Sequence, residues 1–286
     1  MTERGVRPIL VGVDGSPESI EATRWGVAEA AMRGHPLVVV CVYFWPAPAL
    51  PLSRQPADLT EDTLRQDADR VVADVIGATR NPDIDVPITA STVPGLPAYK
   101  LIELSERASM IVVGHRGHGG FAGLRLGSVA ANVAAHAACP VAVVRSAATG
   151  ATAARTVLVG VDGPGSADAV LGFAFDEASR RDSALRALTA RERPNWPIGS
   201  EAADWPATAA ANLSALMRPW EEKFPNVPVE QVVSHERPTA ALVDAAARAD
   251  VLIVGSRGHG GFAGLLLGSV SQQVINHAPI PVVVVR

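Results

Sequence analysis

Short, almost wholly apolar runs recur along the chain, separated by longer stretches whose apolar residues keep a helical spacing. Ile9-Leu-Val-Gly-Val13, Leu37-Val-Val-Val-Cys-Val-Tyr43, Met110-Ile-Val-Val113 and Pro140-Val-Ala-Val-Val-Arg145 are too short for helices and almost wholly apolar. They predict strands buried on both faces. Asp85 to Thr92 predicts a further strand. Between them, Ser16-Pro17-Glu18 is a helix start, with a capping hydroxyl, a proline in the first turn and an acid at the positive end of the dipole. That helix is predicted to run to Gly34 with Ile20, Thr23, Val27, Ala28 and Ala31 inward. A second helix is predicted over Thr60 to Ala78, with Leu64, Ala68, Val71, Val72 and Val75 inward; others follow over Pro97 to Ala108 and Ser128 to Ala138. Strand and helix alternate, and doubly buried strands joined by helices predict a parallel sheet with right-handed crossovers.

The same order returns after residue 155. Val157-Leu-Val-Gly-Val-Asp162 opens it, followed by a helix near Ser166 to Arg180, a strand near Ala184 to Thr189, a helix from Ala207 to Phe224, a strand over Val227 to Val233, a helix after Pro238 and a strand over Val251 to Val254. Pro-rich connections follow the second strand of each copy (Pro46, Pro48, Pro51 and Pro56; Pro194, Pro197 and Pro206). The most similar stretch is Gly114-His-Arg-Gly-His-Gly-Gly-Phe-Ala-Gly-Leu-Arg-Leu-Gly-Ser128, which reappears as Gly255 to Ser269 with 13 of 15 positions identical. Only His115/Ser256 and Arg125/Leu266 differ. Asp14 and Asp162 are offset by 148 residues, whereas Pro97/Pro238, Gly114/Gly255 and Gly127/Gly268 are each offset by 141. A net loss of seven residues in the middle reconciles both ends, so the chain is a duplication. It predicts a first domain over 1–146, a second over 155–286, and a small-residue linker over 147–154.

Composition narrows the function classes. The 286 residues are 48% hydrophobic and 19% charged, a globular balance with length for two cores. A formal charge of −4 without a Lys/Arg-rich run offers no field for nucleic acid. Cys41 and Cys139 lie in or beside strand-like runs and predict small buried or half-buried residues, not a disulfide framework. No stretch approaches the roughly 18 apolar residues that span a bilayer, and no signal-like segment opens the chain. The expectation is a cytoplasmic protein.

The candidate chemistry lies at the ends of strands. Each glycine stretch leaves the fourth strand and contracts to Gly-x2-Gly-x9-Gly-Ser: Gly114, Gly117, Gly127 and Ser128; Gly255, Gly258, Gly268 and Ser269. Glycines permit positive φ and close approach of a ligand, and Gly-Ser stands where a helix begins, whose free N–H groups attract anions. The alternative is a plain helix cap behind a flexible loop. Lys100 and Lys223 are the only lysines, so neither copy is a P-loop. Gly117-x-Gly119-x-x-Ala122 matches a loose dinucleotide fingerprint but follows the wrong strand. Asp14 and Asp162 end the first strands, at the edge where open α/β sheets bind ligands. Either each accepts hydrogen bonds from a ribose or a base, or it only begins an Asx turn. Arg116 and Arg257, within the stretches, are candidates for anion contact, and His118 and His259 for touching a phosphate. His136 and His277 are expected to bond to helix-end carbonyls. His115 and His118 make no supported metal pair, since Ser256 replaces the former in the second copy.

Together, the Val-Gly-Val-Asp-Gly-Ser opening, the Gly-x2-Gly-x9-Gly-Ser stretch and the His-Ala-x-x-Pro-Val-x-Val-Val close resemble the universal stress protein family in its tandem form. The resemblance covers almost the whole chain, twice. It implies two Rossmann-like (adenine nucleotide alpha hydrolase-like) α/β domains, each a five-stranded parallel sheet of order 3-2-1-4-5 with helices on both faces. It also implies ATP, with Mg2+ held through the phosphates: the nucleoside beside Asp14 and Val42, and the phosphates on Gly114, Gly117, Gly127 and Ser128. Asp162, Gly255, Gly258, Gly268 and Ser269 match in the second copy, where Thr189 stands opposite Val42 and Arg186 lies within the strand. Association through the last strands (Val141 to Val144, Val282 to Val285) is implied between the copies, as is a homodimer. Nothing in the repeated residues supplies a nucleophile–base pair. The leading expectation is an ATP-dependent regulator of a stress or growth response. Alternatives are a slow ATPase or self-phosphorylating enzyme with Ser128 or Ser269 as acceptor, and a nucleotide-free interaction module.

Overall fold

The computed structural model describes residues 6–44, 60–119, 125–145, 155–192, 205–258 and 267–286. The Pro-rich connections around Pro46 to Pro56 and Pro194 to Pro197, the linker, the centres of both glycine stretches and His259 lie outside them. The chain divides into two compact units, Met1–Arg145 and Ser146–Arg286.

The first unit runs β1 (Ile9–Val13), α1 (Pro17–Arg33), β2 (Leu37–Tyr43), α2 (Glu61–Thr79), β3 (Ile88–Pro94), α3 (Pro97–Ser105), β4 (Met110–Gly114), α4 (Ser128–His136) and β5 (Val141–Val144). Its strands lie in the order β3-β2-β1-β4-β5, all parallel. The second unit repeats this with β6 (Thr156–Gly160), α5 (Pro164–Arg180), β7 (Ala184–Ala190), α6 (Trp205–Lys223), β8 (Val229–Ser234), α7 (Pro238–Ala246), β9 (Val251–Gly255), α8 (Ser269–His277) and β10 (Val282–Val285). Its order is β10-β9-β6-β7-β8, the same 3-2-1-4-5 arrangement, again parallel. Each unit is therefore the doubly wound α/β fold that the alternation predicts. The chain direction reverses across the sheet between β1 and β4, and between β6 and β9, and the carboxyl ends of those strands flank a crevice.

The core strands are apolar because both of their faces are covered: Ile9, Val11, Leu37, Val39, Ile111 and Val112 are fully buried. Helix α1 begins as predicted. The Ser16 hydroxyl accepts the Ser19 N–H at 3.2 Å, Pro17 sits in the first turn, and Gly34 closes the helix at φ 65°. Its buried face differs from the predicted one. Ser19, Ala22, Thr23, Gly26, Val27, Glu29 and Ala30 are buried, whereas Ala28 and Ala31 are exposed. The reason is closeness of packing: a Cβ on Gly26 would stand 2.7 Å from Val11 Cγ2. Ala22, Gly26 and Ala30 form a stripe of small residues that lets α1 lie hard against β1, and smallness outweighs hydropathy there. Glu29 tolerates burial by pairing with Arg33 one turn on.

Candidate functional site

The first-strand aspartate and the glycine segment meet at the carboxyl edge of unit 1. Asp14 Oδ1 accepts the Ser16 N–H at 3.1 Å and the Ser16 hydroxyl at 2.6 Å, which makes the Asx turn that starts α1. Its other oxygen, Oδ2, accepts the His118 N–H at 2.8 Å. A Cβ on Gly117 would fall 2.1 Å from that oxygen, so only glycine fits there. The second unit has the same approach, with a Gly258 Cβ 2.1 Å from Asp162 Oδ2.

The other glycines are present for different reasons. A Cβ on Gly114 would meet the Glu18 carbonyl at 2.9 Å, where the first turn of α1 presses on the end of β4. The Gly127 N–H donates to the His115 carbonyl at 2.8 Å, and the Gly268 N–H to the Ser256 carbonyl at 2.7 Å, closing each segment at its far end. Gly127 has φ −74° and stands as the residue before α4, with no side-chain cap. Positive φ, one of the two reasons expected for these glycines, is not used by Gly114, Gly117 or Gly127. The close approaches are.

All seven first-copy candidates, Asp14, Val42, Gly114, Arg116, Gly117, Gly127 and Ser128, line a single cavity of about 490 Å³. Pro97 and Leu101 of α3 and Ala130 of α4 form an apolar wall that sequence reasoning did not foresee. The signal was the Val-Gly-Val opening of each copy. A Cβ on Gly12 would be 2.8 Å from Leu101 Cδ1, and one on Gly160 3.1 Å from Leu242, so the glycine marks where the third helix covers the first strand.

In unit 2 the described residues are distributed differently. Asp162 and Thr189 line a cavity of about 410 Å³ with Trp205 and Pro238. Arg257 and Gly258 line another, of about 690 Å³, with Asp168 and Arg286. Gly255 ends β9, and Gly268 and Ser269 begin α8; none of the three lines either cavity. Arg186 lines neither cavity and pairs with Glu230 at 2.8 Å.

The cationic and titratable groups fall into distinct roles. Arg116 is half-exposed, 3.5 Å from Glu18. His118 is exposed, its Nδ1 3.9 Å from Asp14 Oδ1. His115 is buried at 8% exposure, and its Nδ1 has no hydrogen-bond partner. Burial chiefly, then the charges of Arg145 and Arg116, hold the His115 pKa below its usual value. The Arg145 guanidinium donates to the Arg125 carbonyl at 3.0 Å; its pKa is lowered by burial and by Arg116 and Arg125. His136 and His277 bond through Nδ1 to the Asn132 and Gln273 carbonyls at 2.9 and 2.7 Å, as expected of helix-end histidines. Cys41 and Cys139 are free and buried, and burial with the Asp14 and Asp69 carboxylates pushes the Cys41 thiol up to about 11. Among the described residues no three His, Cys, Asp or Glu side chains cluster as a metal site, and no helix is long and apolar enough to cross a membrane.

Two Rossmann-like units of parallel strands, each with an aspartate after its first strand drawn against a glycine segment after its fourth, define a tandem α/β protein. The chain belongs to the universal stress protein family, whose family model matches residues 5–145 and 153–286. It is 38% identical to universal stress protein Rv2005c of Mycobacterium tuberculosis over 294 residues, covering 97% of this chain and 96% of that protein. It is 36% identical to universal stress protein Rv2623 of the same organism over 293 residues, with 97% and 96% covered. Among solved structures, a universal stress protein from Archaeoglobus fulgidus superposes with a TM-score of 0.70 at 22% identity, covering 98% of this chain and 96% of that one.

Proposed function

We propose that this universal stress protein binds ATP and acts as a nucleotide-dependent regulator of a stress or growth response. The observation that carries the reading is the convergence of all seven first-copy candidates on one cavity of about 490 Å³, within the usual range for small-molecule sites. Val40, Val42, Pro97 and Leu101 offer an apolar wall for a nucleoside, and Asp14 offers an acceptor at its edge. At the other end, α4 begins without a side-chain cap, so its first N–H groups, with the Ser128 hydroxyl, are donors for phosphate oxygens. Arg116 adds a positive charge on the same wall. Mg2+ fits as an ion riding on the phosphates, because it commonly uses one or two carboxylates and waters instead of a full protein cage. The second copy carries the same glycine and aspartate positions with a different nucleoside side, Thr189 in place of Val42 and Trp205 in its cavity. Dimerisation and a cytoplasmic setting belong to the same reading.

Release of an adenine nucleotide on denaturing the purified protein, or saturable ATP binding on addition, is the expected result; neither occurring sinks the proposal. A regulator also changes its sedimentation or its partner binding with ATP. Gly117→Asp with Gly258→Asp sets a second carboxylate where Asp14 and Asp162 already press at 2.1 Å, and abolishes binding. ATP turnover that survives this double variant is contamination.

A further inference from the structure

We propose that Asp14 and Asp162 are positioning residues that strap the glycine segments to the first strands, so that affinity for phosphate depends on a carboxylate that need not touch it. This rests on the nucleotide reading above. Asp14 Oδ2 holds the His118 N–H at 2.8 Å, immediately after the Gly117 Cα that the carboxylate abuts. The far end of the segment is tied by the Gly127 N–H on the His115 carbonyl at 2.8 Å. Arg116 and Gly117, which line the cavity, lie between the His115 carbonyl of this tie and the strapped His118 amide. The carboxylate is itself immobilised, because Oδ1 accepts both the N–H and the hydroxyl of Ser16, whose oxygen in turn caps α1. One rigid series of bonds thus runs from the first turn of α1 through Ser16 and Asp14 to the His118 backbone.

Three features favour a strap over a ligand contact alone. The carboxylate offers about four acceptor positions, and three are already filled by protein donors. A ligand hydroxyl can therefore add to the strap without displacing it. A negative charge beside a phosphate cradle repels the ligand, so the aspartate is better accounted for by the donors it holds. The second unit repeats the feature: Gly258 is excluded from carrying a side chain by Asp162 Oδ2 at the same 2.1 Å, although His259 lies outside the described residues. Asn at either position turns an NH2 toward one of the donors and loses a charge-assisted bond.

The test uses the full chain with two probes, inorganic tripolyphosphate (no nucleoside) and adenosine (no phosphate), followed by calorimetry. Hydrogen exchange of residues 115–119 supplies a readout that needs no ligand. Asp14→Asn with Asp162→Asn, and separately Gly117→Ala with Gly258→Ala, are expected to lower tripolyphosphate affinity about tenfold, the loss of one hydrogen bond to a charged group. Both are also expected to speed exchange at the His118 amide. The glycine variants disturb the same contact from the loop side and carry the test should the aspartate pair fail to fold. A folded aspartate variant that keeps tripolyphosphate affinity and His118 protection while losing adenosine overturns the proposal, because the carboxylate is then a ligand contact only. Faster exchange with unchanged tripolyphosphate affinity overturns it too, since the bond would then serve the fold and not the site. If the wild type takes neither tripolyphosphate nor ATP, the nucleotide reading fails; unchanged His118 exchange in both variants would separately remove the strap.

Discussion

The two copies differ most tellingly at His115 and Ser256, which stand at the same place behind the glycine segment. His115 is enclosed at 8% exposure beside Arg145 and Arg116. Its folded-state pKa is depressed below 6.5 by burial first and by Arg145 and Arg116 next. The stability it contributes is therefore complete above about pH 6.5 and is lost as pH falls through the lower folded value. His115→Ser, which copies the second unit, is expected to flatten that acid limb of the first unit in urea titrations between pH 7 and 5. Cys41 behaves in the opposite sense. Its folded value of about 11 lies above the ordinary 9.0, so its stabilising contribution is present below pH 9 and fades as pH rises through 11. Alkylation of Cys41, followed by peptide mapping, should stay slow up to pH 9 and accelerate only as pH nears 11 or the protein unfolds.

At the scale of elements, the inner strands β1, β4, β6 and β9 were legible because burial on both faces writes them as short, almost wholly apolar runs, and turn chemistry marked where α1 starts and stops. The face of α1 was not legible. Hydropathy favours Ile20 and Ala28, but the sheet selects Gly26 and Ala22 for size, and it buries Glu29 because Arg33 accompanies it. At the site, Gly-x2-Gly-x9-Gly-Ser was visible as spacing. The bond from Asp14 to His118 was not, because it joins positions 104 residues apart. The α5–α6 seam was also missed. There Phe175, Trp220 and Phe224 stack with ring centroids 5.8–6.4 Å apart, and a Cβ on Gly172 would be 2.6 Å from the Trp220 ring. In the first unit Arg24 and Val27 occupy the positions of Gly172 and Phe175, so the duplicates fasten equivalent helices by different means. Phe175 is fully buried, and Phe175→Ala is expected to cost about 3–5 kcal/mol. Hydrogen exchange should localise the loss to the second unit and leave the strands of the first unchanged.

For the whole molecule, duplication kept the topology and the glycine–aspartate contact in both units while Val42 of the first gives way to Thr189 in the second. On the nucleotide reading, ATP at a hundredfold excess over its dissociation constant stabilises a binding unit by about 2.7 kcal/mol. The first unit, with its candidates gathered in one cavity, is expected to show the larger gain. Gly117→Asp alone should therefore remove most of the ATP-dependent rise in Tm, and Gly258→Asp the lesser part. Equal losses from the two substitutions would show that Thr189 and Trp205 leave the second site as competent as the first.

The bond between Asp14 and the His118 amide also has a meaning for the order in which the chain folds. Its partners follow the first and fourth strands, so closing it encloses most of the unit in one loop of 104 residues. The entropy of such a closure is met only after intervening pairings have shortened the effective distance. The loop's final shape therefore belongs among the last native features to form, after the strands that carry it are registered side by side. A ligand that recognises that shape selects completed molecules. Phosphate binding followed during refolding should lag behind the recovery of helical signal; binding that returns together with that signal would show that the closure is not a late step.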